Sequence, residues 1–359
     1  MRALCLYAGP AARRQIEKRG LQAEDVAVLA GAAGGPKGLI LGALDRFIFG
    51  QWLAQSSQTV HLVGASIGAW RMATACLNDP VTAFLRLEYD YIRQHYELQP
   101  GKKGPSADTV SRLFGENLQA FYDGRIGEIL AHPRFRLHVV TAHGRQLLGR
   151  EQRYRTALGF LAAWLSNLVQ RRALGNWLER VVFSTPGAAL PFDSGDYPTQ
   201  QFDLSLANFN LALQASCSIP FVLRAVHDIP GAPSGAYWDG GLTDYHLHLN
   251  YAAGASSQGL VLYPHFQRTV VPGWLDKHLK WRHGSSAFLD NMLLLAPNPE
   301  WVRTLPNGKL PDRTDFVHYG QDLASRVRDW SAASAASVQL VDEFDRWLRQ
   351  PDVKLVQAL

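Results

Sequence analysis

Two short apolar runs, each ending in a small-residue turn and followed by helical spacing, open the chain. Residues 26–30 (Val-Ala-Val-Leu-Ala) lead into glycines and read as a buried strand. Residues 39–49 then carry Leu41, Leu44 and Ile48 at helical spacing, with Asp45 and Arg46 between them. Residues 60–63 (Val-His-Leu-Val) repeat the first pattern and residues 67–77 the second. Strand, loop and helix twice in succession predict a mostly parallel α/β sheet. Further on, 81–94 reads as a helix, 101–106 as a loop, 136–141 and 181–184 as strands, and 259–263 as a late strand. Residues 153–180 read as one long helical stretch rich in Leu, Ala and Trp, and 204–217 as a helix stopped by Pro220. After about residue 267 Trp and basic residues mix with Pro and Gly, and 322–349 reads as a terminal helix broken near Ser331.

The chain has 359 residues, 47% hydrophobic and 19% charged, so there is material for a large core and no sign of disorder. One large or two small domains fit this length. The formal net charge is +5 without a block of like charges, which argues against a nucleic-acid partner and suits an anionic lipid surface equally well. Cys5, Cys76 and Cys217 are far apart and no C-x-x-C occurs, so neither a zinc site nor a disulfide framework is expected, and a reducing compartment fits. The apolar run at the N-terminus is too short for a secretory core. No uncharged apolar stretch reaches the ~18 residues of a membrane span. The expected location is cytoplasmic, with peripheral membrane contact allowed.

Three segments carry candidate chemistry. Gly64-Ala-Ser66-Ile-Gly68 follows a strand and opens a helix, the setting of a nucleophile elbow, where Gly64 and Gly68 let strand and helix approach closely. The bland alternative is a tight turn with an idle serine. Gly31-Ala-Ala-Gly34-Gly35-Pro-Lys37-Gly38 follows the first strand, and its backbone N–H groups could hold an oxyanion or a phosphate. The spacing fits neither a P-loop nor a dinucleotide fingerprint, and a plain glycine connection is the alternative. Trp238-Asp239-Gly240-Gly241 taken alone is also an ordinary turn.

In this order the three segments resemble the patatin-like phospholipases. That family has a glycine-rich oxyanion loop, a G-x-S-x-G serine and a D-G-[GA] aspartate. Residues 33–38 resemble its glycine loop with Lys37 at the basic position, 64–68 match the elbow, 215–220 (Ala-Ser-Cys-Ser-Ile-Pro) resemble the segment ahead of the aspartate, and 239–241 match the last motif. The resemblance spans roughly residues 26–250. It implies a three-layer α/β sandwich with a mostly parallel central sheet, Ser66 as nucleophile, Asp239 as its base, and Gly34, Gly35 and Lys37 as oxyanion donors. Gly38, Gly64, Gly68, Gly240 and Gly241 would support the motifs. No cofactor or metal is implied. The chain departs from the family at Ala32 and Ala33, where an acidic residue often stands, at Pro36, which has no N–H, and at Thr243 and Asp244.

The expected activity is cleavage of fatty acyl esters of phospholipids or lysophospholipids through an acyl-Ser66 intermediate. Carboxylesterase, thioesterase or acyltransferase chemistry shares that intermediate, and a non-catalytic lipid-binding protein is a further alternative. His246, His248 and His265 offer a Ser-His-Asp rival, and His246-Leu-His248 with Asp244 a weak metal set. The expected organisation is a catalytic domain over 1–266 and an extension over 267–359 packed on it. The stretch 153–180 stands as lid, core or membrane helix, and Trp274, Lys277, Lys280 and Trp281 as an interfacial patch.

Overall fold

The computed structural model describes residues 1–96, 104–254 and 259–359. The loop expected at 101–106 therefore lies partly outside the described residues. Among the described residues eleven strands join in one sheet: β1 (Leu4–Ala8), β2 (Val26–Gly31), β3 (Val60–Ala65), β4 (Phe135–Gly144), β5 (Leu178–Ser184), β6 (Thr199–Asp203), β7 (Val226–His227), β8 (Ala236–Asp239), β9 (Leu260–Pro264), β10 (Met292–Pro297) and β11 (Val356–Ala358). The order is β11-β1-β10-β9-β2-β3-β4-β5-β6, with β8 on β4 and β7 on β8. From β10 through β4 every pairing is parallel. Helices pack around the sheet, giving a mixed α/β architecture consistent with a three-layer sandwich.

The central strands are buried along nearly their whole length rather than alternating. That is the signature of a sheet covered on both faces. Residues 267–359, expected as an extension on a domain of 1–266, supply β10 and β11 to this same sheet. β10 stands between β1 and β9, and its Leu293, Leu294 and Leu295 are fully buried. Truncating any one of these to Ala would cost ~2–5 kcal/mol.

The helical stretch expected over 153–180 is a helix only over Arg153–Val169. A short 3-10 turn follows at Arg171–Asn176, and residues from Leu178 enter β5, which is buried throughout. The terminal helix breaks at Ser337, not near Ser331, into Leu323–Ala336 and Val338–Arg349. The Ser337 hydroxyl donates to the Ser334 carbonyl at the break.

β4 is the strand that positions the site. Its first half pairs with β3 and its second half with β8, so the ends of β3 and β8 meet along one edge of it. Ala65 lies opposite Val140, and Asp239 opposite the next residue, Thr141.

Candidate active site

Ser66 stands between β3 and the helix Ile67–Ala75 with φ +56° and ψ −129°. A non-glycine residue in that region is strained, and such strain is characteristic of a turn that thrusts one side chain forward. The surroundings leave no freedom to relax. A Cβ on Gly64 would collide with Ala69, and one on Gly68 with the Gly31 carbonyl. Strand, elbow helix and glycine loop are thus in backbone contact.

The Ser66 hydroxyl donates to Asp239 Oδ2 at 2.8 Å, and the amide of Gly241 donates to Oδ1 at 2.7 Å. Both Ser66 and Asp239 are buried. Burial raises the Asp239 pKa above the ordinary carboxylate range, opposed by Arg313, the Ser66 hydroxyl, the Gly241 N–H and Lys277. A Cβ on Gly240 would collide with the Val140 carbonyl, so this turn too is in contact with β4.

The segment 215–218 ties these parts together. The Ser216 hydroxyl accepts from the Ser66 amide at 2.9 Å and donates to the Val140 carbonyl at 2.6 Å. The Asp239 amide donates to the Ser218 carbonyl and the Gly240 amide to the Ser216 carbonyl. Cys217 lines the cavity beside Ser66, its thiol pKa pushed up by burial and by Asp239. All three cysteines are free.

In the glycine loop, Gly34 has φ 167° and ψ −2°, Gly35 has φ +58°, and a 3-10 turn runs over Gly35–Leu41. A 3-10 turn starting there uses the Lys37 N–H in its first i→i−3 bond. Pro36 has none to give. Among the described residues, the N–H groups of Gly34 and Gly35 have no protein acceptor. Gly38 packs its open face on Ile67. Beyond the loop, Arg71 of the elbow helix grips both oxygens of Asp45 at 2.7 Å, which ties the helix Gly42–Phe47 that follows the loop to the elbow helix.

Gly35 and Ser66 open onto a cavity of about 460 Å³, walled mainly by apolar groups such as Trp70, Tyr91, Phe114 and Leu223. This is within the ~300–1,000 Å³ of ordinary small-molecule sites. Arg313 lines it from the far end of the chain, and also lines a small recess that holds Asp239, Tyr245 and Trp274. Nothing in the sequence singles out Arg313, and Lys277 is expected in an interfacial patch. Lys277 is instead half-buried, its ammonium 4.2 Å from the Tyr245 ring centroid.

No histidine stands between Ser66 and Asp239, which bond directly. His246 Nδ1 bonds the Thr269 carbonyl, His265 Nδ1 the Gln267 carbonyl, and His248 Nε2 the Ser286 hydroxyl. Asp244, next to His246-Leu-His248, is held on both oxygens by Arg180. The helix Arg153–Val169 has two characters. Phe160 and Ala163 are buried, with Phe160 edge-on to Trp238 at 5.3 Å beside Asp239. Leu158, Leu161, Trp164 and Leu165 are exposed. Among the described residues no helix is long and apolar enough to cross a membrane.

No family model matches the chain. No curated protein matches it. Among solved structures the chain is similar to VipD from Legionella pneumophila, with 14% identity, 89% of this chain and 67% of that chain covered, and a TM-score of 0.37. A likeness of that strength carries no weight for the chemistry of the site.

Proposed function

We propose that this chain is a serine acyl hydrolase of the patatin-like type, cleaving fatty acyl esters of phospholipids or lysophospholipids. The observation that carries the reading is the 2.8 Å contact of the Ser66 hydroxyl with Asp239, made at a strained elbow that opens on an apolar cavity. A serine hydroxyl is a weak nucleophile until a base takes its proton. Asp239, with its pKa raised by burial, is a stronger base than an ordinary carboxylate.

Asp239 accepts the hydroxyl proton as Ser66 Oγ bonds to the acyl carbon. The carbonyl oxygen becomes an oxyanion beside the free N–H groups of Gly34 and Gly35; one such donor is worth ~3 kcal/mol of barrier. The ester C–O bond then breaks, and the leaving alkoxide takes the proton from Asp239. Water repeats the sequence in reverse: Asp239 takes its proton, hydroxide adds to the acyl carbon, and Ser66 leaves with the proton returned.

The substrate comes from a lipid surface in this reading. Phe221, itself exposed, lies 5.8 Å from Phe160 and precedes Val222, which lines the cavity, so the buried face of Arg153–Val169 packs beside the cavity rim.

The test is covalent labelling with a fluorophosphonate and turnover of a panel of phospholipids, lysophospholipids, neutral esters and acyl thioesters. Ser66→Ala should lose both labelling and turnover while keeping its far-UV circular dichroism. Wild-type turnover in Ser66→Ala would sink the assignment, and turnover of thioesters alone would replace the substrate class.

A further inference from the structure

We propose that Arg313, Lys277 and Lys37 form an anion-holding site beside Ser66, so that the ester cleaved there carries a net negative head group, such as a phosphate monoester, on the alcohol side of the scissile bond. This deepens the acyl-hydrolase reading and rests on it.

The three cations come from three separate stretches of chain. Arg313 lines both the cavity that holds Ser66 and the recess that holds Asp239. A Cβ placed on Gly35 would be 3.1 Å from Arg313 Nε, so the guanidinium lies against the glycine turn with its free N–H groups. The Lys277 ammonium sits over Tyr245 at 4.2 Å and 5.3 Å from Trp274, two rings that line the same recess as Arg313. The Lys37 ammonium stands 5.2 Å from the Phe266 ring.

Asp312 opposes the burial that lowers the Lys37 pKa, and Asp239 does the same at Lys277, but both carboxylates have other partners. Asp312 is held by Lys309, and Asp276 by Arg171 and Arg282. Asp239 lines the recess, but its oxygens already accept from Ser66 and Gly241. Among the described residues no ion pair includes Lys37, Lys277 or Arg313. Half-burying Lys37 and Lys277 without an ion pair is costly. The cost is visible at Lys277, whose pKa is pushed down to about 8 by burial and by repulsion from Arg313 and Lys37, with Asp239 opposing. A bound anion would relieve that repulsion. Arg313 is exposed, so such a group can reach it.

The same geometry disfavours a choline head. Aromatic faces are what hold a quaternary ammonium, and the Tyr245 and Trp274 faces are already covered by Lys277. The apolar wall of the cavity suits the acyl chain, which leaves the cationic side to the alcohol portion.

The experiment is calorimetric titration of the protein with decyl phosphate, decanol, decyl phosphocholine and inorganic phosphate. None is a carboxylic ester, so no turnover intervenes. Decyl phosphate should bind roughly tenfold or more tightly than each of the other three, the usual worth of a hydrogen bond to a charged group. Arg313→Gln and, separately, Lys277→Gln should each shrink the preference for decyl phosphate over decanol by about tenfold, with unchanged circular dichroism. Equal binding of decyl phosphate and decanol, or a preference that survives both substitutions, would overturn the proposal. Inorganic phosphate binding as tightly as decyl phosphate would overturn it too, since the site would then take free phosphate. Loss of acyl-hydrolase activity as a reading would show separately, as an intact anion preference in a protein that turns over no ester.

Discussion

The Ser216 hydroxyl is bonded at once to the backbone of Ser66 and, through the Val140 carbonyl, to β4. It therefore helps to hold the elbow against β4, the strand on which β8 pairs and so places Asp239. Ser216→Ala leaves the Ser66 amide and the Val140 carbonyl without this partner in a buried place. The expected cost is ~1–3 kcal/mol of stability. A shift of about 1 Å at the nucleophile can cost ~100-fold in rate. We therefore expect kcat to fall by roughly ten- to hundredfold with KM little changed, and Ser216→Thr to restore part of it. Steady-state kinetics on a short acyl ester, with urea unfolding in parallel, check this. Equal losses in stability and in KM, with kcat unchanged, would reduce Ser216 to a core hydrogen bond.

The raised pKa of Asp239 sets the acid limb of activity. The carboxylate is the active form, so kcat should fall as pH drops through a value above the ~3.9 of a free aspartate, because burial favours the neutral acid. Asp239→Asn should abolish the limb together with the activity. Anion binding should show a different, alkaline limb. Lys277 is cationic below about 8 and neutral above it, facing Arg313, Lys37 and Asp239. The affinity for decyl phosphate should therefore weaken as pH rises through that value, and Lys277→Gln should flatten the effect. A calorimetric series from pH 6 to pH 10 measures it.

Arg180 and Asp244 are both fully buried and joined by two bonds of 2.7 Å, with Arg180 also reaching Asp196 and Thr199. Arg180 holds the Asp244 carboxyl below the usual range, against the opposing effect of burial. Breaking a buried pair from one side costs ~3–5 kcal/mol, and here the low end applies, because Asp196 still faces Arg180 at 3.3 Å. Asp244→Asn should therefore lower the urea midpoint markedly. Asp228→Asn, at an exposed pair with Arg150, should cost under about 1 kcal/mol. Similar midpoints for the two variants would contradict the assignment.

The parts of this molecule legible in its sequence are those set by neighbours in the chain. The elbow at Ser66 is a strand, a turn and a helix within some fifteen residues, and its glycines announce the close approach. β10 went unread as a strand although Met-Leu-Leu-Leu-Ala-Pro is a clean apolar run, because Pro, Gly and Trp on either side obscured it. β8 is four residues long, too short for any period to show. The helix ending at Val169 reads as if it ran on to 180 because the apolar residues of β5 continue its composition; Gly175-Asn176, ahead of β5, is the stop signal in the sequence. Arg313 and Lys277 owe their positions to long-range packing, and nothing local to either marks it.

Contact with lipid is the remaining expectation, and the structure changes which residues should make it. Lys277 faces inward over Tyr245, and Arg171 is engaged by Asp276, so neither is free to meet a surface. Arg153, Arg155, Arg172 and Lys280 are exposed, as are Leu158, Leu161, Trp164, Leu165 and Trp281. Near an anionic bilayer each Lys or Arg contributes ~1 kcal/mol, and the apolar row adds area that salt does not screen. Co-sedimentation with phosphatidylserine-containing vesicles should therefore be strong at low salt, partly lost at high salt, and weakened by about thirtyfold or more by Arg155→Glu with Lys280→Glu. The pair Leu161→Ser with Trp164→Ser should remove the salt-resistant part. Lys277→Gln should leave vesicle binding unaltered, since its charge points into the site. Indifference to anionic vesicles at low salt would mean that the exposed row is not a lipid contact, and the substrate would then have to reach the cavity as a monomer.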